Sequence, residues 1–268
     1  MTLTQAIILG LVQGFAELLP ISSSAHLALA PYFLDFRDPG LAFDVALHAG
    51  TLVALIWYFR REWIDMIAST WTILKTRRIA SLHERRALYL IVATIPAGIA
   101  GLLLNDYAET AFRSPALIAT TLAIMGIVLW AVDRWSARSR MIEEITMRDA
   151  ILVGLAQILA LVPGVSRSGS TITAGRALHL DRPSAARFSF LMSMPITLAA
   201  VVLKMPEAIR ADGVSLPLVA GVVAAAVSSW VSIAVLLRYV SKHSFGVFAA
   251  YRLVLSAAVF ITLALRGG

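Results

Sequence analysis

Gln13 and Glu17 stand four residues apart in an apolar run, ahead of Leu18-Leu19-Pro20-Ile21-Ser22-Ser23-Ser24-Ala25-His26. Positions i and i+4 share a helix face, and Gly10 and Gly14 thin the same stripe. Pro20 stops that helix. Three serines then offer a cap and free backbone N–H groups to a new helix running through His26. A carboxylate, hydroxyls and an imidazole converge within one turn of a helix break. A carboxylate inside a membrane is costly and marks function, so the set reads as nucleophile, base and orienting group.

A second stretch reads Pro163-Gly164-Val165-Ser166-Arg167-Ser168-Gly169-Ser170-Thr171. Glycines let backbone approach closely. Hydroxyls and helix N-terminal amides make an anion cradle, and Arg167 adds a planar fork of donors suited to phosphate oxygens. Asp44 and His48, also four apart, either border the same cavity or pair with each other. His83, His179 and His243 fall among basic loops and read as solvated. Pro96 reads as a kink within a span.

The elements that carry these residues follow from composition. Hydrophobic residues make up 59% of 268 and charged residues 15%, against roughly 45–50% and about 25% in soluble domains. Mean hydropathy is +0.81. Such a chain is dissolved in lipid. With no Cys, disulfides, thiolate metal sites and cysteine nucleophiles are excluded. The net charge of +7 reads as topological, with positive loops on the cytoplasmic side, and nucleic acid is not an expected partner.

Six segments are near the ~20 apolar residues that a spanning helix needs: Leu41–Phe59, Ala87–Asn105, Pro115–Val132, Ala185–Leu203, Pro217–Leu237 and Phe245–Leu265. Two shorter runs, Leu3–Leu19 and Ala150–Val162, each end at a proline beside a serine-rich stretch. No removable signal peptide is visible, because the first apolar run carries Gln13 and Glu17 in place of a cleavage site. The connections Arg60–Arg86 and Arg134–Arg148 are rich in Arg and Lys, whereas Asp106–Ser114 holds only Arg113 beside Asp106 and Glu109. The first two are therefore expected inside, the third outside, and both chain ends outside.

Residues 5–26 and 149–170 align without gaps at an offset of 144, with identities that include Gly10/Gly154, Gln13/Gln157, Ser22/Ser166 and Ser24/Ser168. Three spans separate the copies, so equivalent segments enter from opposite faces. The expected fold is an all-α polytopic membrane protein, one domain over 1–268. Its halves, 1–135 and 149–268, form an inverted-topology repeat of six transmembrane helices and two re-entrant helix-loop-helix segments. In such folds broken helices meet near the midplane and aim positive dipoles at an anion. Broken backbone at that depth must line a cavity.

With both stretches in view, the chain resembles the bacterial undecaprenyl-diphosphate phosphatase family, also called the bacitracin-resistance protein. QxxxELLPISSSAH and PGVSRSGST match that family's two motifs, and Phe43–Leu52 and Ala93–Gly101 also look like it. The resemblance covers essentially the whole chain. It implies hydrolysis of undecaprenyl diphosphate to undecaprenyl phosphate and phosphate, which recycles a cell-wall lipid carrier and confers bacitracin resistance.

By resemblance, Glu17, Ser23, His26 and Arg167 are the catalytic positions. Gln13, Ser22, Ser24, Ser166, Ser168 and Thr171 bind substrate. A divalent cation, Mg²⁺ or Ca²⁺, is expected at Glu17, although Gln13 supplies one anionic oxygen fewer than a second glutamate would. The expected partners are a polyprenyl diphosphate, membrane lipids and a second copy in a homodimer. The expected location is the bacterial cytoplasmic membrane, with the site open to the external face. Phosphoryl transfer needs chiefly positioning and charge neutralisation. Arg167 and the second-stretch amides would hold the diphosphate and Ser23 would attack. His26 would act as base or acid with Glu17 orienting it or holding the cation, and attack by His26 or by water is the alternative. The rival function is a secondary transporter or flippase, since inverted repeats with broken helices also build transporters. A nucleophile-base-orienter set argues for the enzyme.

Overall fold

The structure, a computed structural model, describes residues 1–34, 36, 39–109 and 114–266. Among these residues it is helical, with no β-strand. The helices are α1 (Leu3–Leu18), α2 (Ser23–Leu34), α3 (Leu41–Tyr58), α4 (Arg60–Thr76), α5 (Leu82–Glu109), α6 (Pro115–Trp135), α7 (Met147–Ile158), α8 (Arg167–Ala177), α9 (Arg182–Asp212), α10 (Leu216–Val240) and α11 (Gly246–Leu265).

Their starts are written locally. Thr2 caps α1 with Gln5, and Thr146 caps α7 with Asp149, each as a reciprocal capping box that satisfies two end amides. Asp181 and Ser215 cap α9 and α10, each with a proline in the first helical turn, where a missing N–H costs nothing.

Among the described residues, five helices are long and apolar enough to cross a membrane: Leu82–Leu104, Pro115–Trp135, Arg182–Glu207, Leu216–Val240 and Gly246–Leu265. They coincide with five of the six expected spans. The sixth falls on α3, whose apolar part, Phe43–Tyr58, groups with α1 among the shorter helices. At 1.5 Å per residue it reaches about 24 Å, short of a ~30 Å hydrocarbon core. The helices wear large apolar side chains outward: Leu102, Val202, Val227 and Val254 are all more than half exposed. An outer surface of that kind suits lipid.

Two connections differ from expectation. Arg60–Arg86, read as a loop, holds the seventeen-residue helix α4. Its Trp63 and Met66 pack on the interior, while Ile64, Ile67, Trp71 and Leu74 lie exposed on another face. Apolar residues on opposite sides obscured its period. In Asp106–Ser114, α5 continues to Glu109, and Arg113 lies outside the described residues.

α1 runs along α10, α7 along α5, and α3 between α9 and α10, while α6 pairs with α11. Small residues allow this. A side chain at Gly10 would collide with the backbone of Gly221 in α10, and one at Gly154 with the backbone of Ala93 in α5. Close approach of this kind is how helices associate without a hydrophobic drive between them. The main interior cluster holds Leu18, Phe59, Leu129, Phe190 and Phe245. At one edge of it Asp133, 2% exposed, accepts Nε of Arg176 at 2.9 Å and Nε of Arg182 at 2.8 Å. Its second oxygen accepts the amide of Phe245 at 3.0 Å. That clasp ties α6, α8, α9 and the start of α11.

Candidate functional site

Both serine-rich stretches are breaks between helices. α1 stops at Leu18 and α2 begins at Ser23. α7 stops at Ile158, a 3₁₀ turn follows over Leu159–Leu161, and α8 begins at Arg167. The residue before each new helix, Ser22 or Ser166, has positive φ, 75° and 73°. Positive φ is rare for a residue with a side chain and tends to mark functional backbone. The two serines are equivalent in the offset of 144. Their hydroxyls take matching partners, Ser24 and Ser168, each at 3.2 Å. The first two amides of each new helix, Ser23 and Ser24 or Arg167 and Ser168, have no carbonyl of their own helix to reach.

The breaks interlock. Ser22 Oγ accepts the amide of Gly164 at 3.2 Å, and Ser168 Oγ donates to the carbonyl of Leu19 at 2.9 Å. Thr121 of α6 donates to the carbonyl of Pro163 at 2.7 Å.

Glu17 is the hub. It is 6% exposed, on the last turn of α1. Its Oε2 accepts the Ser23 hydroxyl in a short hydrogen bond, takes Gln13 Nε2 at 3.2 Å and lies 3.3 Å from His48 Nε2. Its Oε1 pairs with Arg167. One carboxylate thus joins α1, α2, α3 and α8. Gln13 is fully buried, with its Oε1 unpartnered among the described residues. His48 Nδ1 donates to the Asp44 backbone carbonyl at 2.8 Å. Arg167 keeps its remaining guanidinium donors free of described partners and is 14% exposed.

His26 stands apart from the set expected for it. Its Nδ1 lies 2.7 Å from the carbonyl of Ser22, which only accepts, so Nδ1 carries the proton. Nε2 is then an acceptor, 2.7 Å from the hydroxyl of Tyr251 in α11, and the two rings stack with 7° between planes. Neither Ser23 nor Glu17 is bound to His26. The expectation that Glu17 orients His26 is therefore replaced: Glu17 holds Ser23, and Tyr251 orients His26.

The other predicted residues divide by exposure. Ser22, Ser166, Ser168 and Thr171 are buried, and their hydroxyls are spent on protein; Thr171 meets Ser189 at 2.6 Å. Ser23, His26 and Arg167 are half-buried and Ser24 exposed, leaving these four open to a ligand. Tyr251 was the residue missed, whereas His48, expected either to border the cavity or to pair with Asp44, reaches Glu17. Asp44-x-x-x-His48 was visible as a spacing, whereas Tyr251 carries no local signal.

The expected divalent cation has a plausible donor set. The Glu17 carboxylate and the orphaned Oε1 of Gln13, whose Nε2 meets Glu17, are hard oxygens, although no group of three or more His, Cys, Asp or Glu able to hold a metal occurs among the described residues. Two protein oxygens suit a cation that takes its other ligands from substrate phosphates and water.

These features define a multi-pass helical membrane protein with a polar site buried between two helix breaks. The family model described as bacitracin resistance protein BacA matches residues 6–258. Relatives named undecaprenyl-diphosphatase include those of Gemmatimonas aurantiaca, 73% identical over 99% of this chain and 100% of theirs, and Moorella thermoacetica, 48% identical over 99% and 100%. That of Pelotomaculum thermopropionicum is 45% identical over 99% and 98%. The chain belongs to the bacitracin resistance protein BacA family.

Proposed function

We propose that this chain is an undecaprenyl-diphosphatase, a hydrolase that cleaves a lipid diphosphate to the lipid monophosphate and phosphate. The observation that carries the site assignment is Glu17 holding the Ser23 hydroxyl and Arg167 on its two oxygens. Ser23 Oγ bonds to the terminal phosphorus, the bond to the bridging oxygen breaks, and the Ser23 proton passes to Glu17. The lipid monophosphate leaves. Water then hydrolyses the phosphoserine, releasing phosphate and restoring the serine. Arg167, Ser24 and the leading amides of α2 and α8 bind the phosphate oxygens. His26, fixed as its Nδ1–H tautomer, presents its Nε2 edge with Tyr251. Ser22, Ser166, Ser168 and Thr171 shape the breaks. Glu17 and Gln13 would hold Mg²⁺ or Ca²⁺, which supplies charge neutralisation.

The finer architecture is an inverted repeat, 1–135 against 149–268, with two re-entrant segments. Its support is the equivalence of the capping boxes, of the positive-φ serines and of the two close helix contacts. Arg140 bonds both Asp149, at the start of α7, and the carbonyl of Leu178, just past α8, as expected if that segment enters and leaves by one face. We place the protein in the bacterial cytoplasmic membrane with the first break open to the outside, and a homodimer is compatible with its exposed helices.

The test is phosphate release from undecaprenyl diphosphate by purified protein, with and without chelator, alongside Ser23→Ala. Loss of turnover in the variant, with a phosphoserine trapped in wild type by acid quench, is expected. Turnover by Ser23→Ala at the wild-type rate would exclude serine attack. No release with any cation would favour a transporter.

A further inference from the structure

Arg252 lies in the second turn of α11, wholly buried, and nothing in the mechanism above uses it. Its partners are backbone carbonyls from three segments. NH1 donates to Pro20 at 3.2 Å, in the first break. NH2 donates to Gly164 at 2.7 Å and Val165 at 3.1 Å, in the second. Nε donates to Leu122 of α6 at 3.2 Å. No carboxylate is among them.

Burying a cation without a counter-charge is expensive, and an apolar residue of similar volume would commonly give a more stable core. The cost has a local reason. Pro20, Gly164 and Val165 lie between the end of one helix and the start of the next, so their carbonyls have no amide of a continuing helix to accept. A planar guanidinium can serve several such carbonyls at once, in fixed directions, which an ammonium cannot. The guanidinium also underlies the first turn of α8: a Cβ built on Gly169 would come within 2.8 Å of Arg252 NH1. Its chain neighbour Tyr251 holds His26. One turn of α11 therefore touches both breaks and the imidazole.

We propose that Arg252 is a positioning residue of the reaction, pinning the two breaks in register so that Ser23 on one and Arg167 on the other meet at Glu17. The proposal rests on the reading of Ser23 and Arg167 as reaction partners.

The test is Arg252→Lys, which keeps the charge but cannot hold three segments together. A misplacement near 1 Å costs about 10²-fold, so kcat should fall by about that factor, with KM changing by less than about threefold because the phosphate ligands remain. In an Arg167→Ala background the same change should cost little more, since residues that act through one alignment are not additive. A purely structural role would lower the melting temperature and leave kcat of the folded fraction intact, and that result would overturn the proposal. So would full additivity with Arg167→Ala. Should Arg252→Lys fail to insert, Gly169→Ala, whose Cβ would crowd the guanidinium at 2.8 Å and the Ser166 side chain at 2.9 Å, moves the guanidinium without removing it and should lower kcat; wild-type kcat there would refute the idea. Full activity of Ser23→Ala would undo the serine nucleophile alone, leaving the Arg252→Lys defect to be read by itself.

Discussion

Arg167→Lys isolates what a guanidinium does that a point charge cannot. Nη2 of Arg167 is committed to Glu17 Oε1, and its other donors have no partner among the described residues. Lysine can keep the pair with Glu17 or turn to the phosphate, and cannot do both. The loss is about two charge-assisted hydrogen bonds in the transition state, each worth ~1.5–2 kcal/mol, or ~3–4 kcal/mol together. At ~1.4 kcal/mol per decade that is about 10²–10³ in kcat/KM. The fold should hardly notice, because α8 is capped by Ser166 Oγ on the amide of Gly169 at 3.0 Å, independently of the side chain at 167. Arg167→Ala should be near-inactive and less stable too, because it leaves Glu17 buried with a partner missing. The assay is phosphate release in detergent, paired with thermal melting of the same samples. Near-wild-type turnover of Arg167→Lys would show that a single cation suffices and that the fork is not a phosphate ligand.

Tyr251→Phe removes the hydroxyl from His26 Nε2 while keeping the stacked ring. Losing one hydrogen bond at a half-buried acceptor costs about 1 kcal/mol, so kcat should fall about fivefold, and an unchanged rate would free His26 from any need of Tyr251. Asp133→Ala strands Arg176 and Arg182 in the interior and should destabilise by ~3–5 kcal/mol; a melting temperature equal to wild type would refute the clasp. Reporter fusions at positions 75 and 140 should both behave as cytoplasmic, and an external signal at both would overturn this orientation.

Much of the site was legible as local chemistry. The i, i+4 spacing that put Gln13 and Glu17 on one face is the contact seen between Gln13 Nε2 and Glu17 Oε2 at 3.2 Å. Pro20 and the serines fixed where α1 ends and α2 begins. Roles within the site were less legible. Ser23 and His26 are neighbours on one helical turn, and sequence alone suggested that they bond. The ring instead takes the carbonyl four residues back, and a tyrosine 225 residues away.

The sequence by itself determined the solvent, through an apolar fraction no soluble core could hide, and the helices, through apolar runs bounded by Thr2, Thr146, Asp181 and Ser215. It also determined the two breaks and their kinship, since a repeat is written along the chain. Only the tertiary structure decided that the breaks interlock through Ser22 and Ser168. It alone placed His48 on Glu17, gave Tyr251 to His26 and set Arg252 beneath both breaks. The reason is physical. Caps, breaks and periodicities are interactions within a few residues, whereas these contacts join helices whose approach depends on Gly10, Gly154 and the carbonyls they lie against, and no spacing along one chain encodes which helix will be the neighbour.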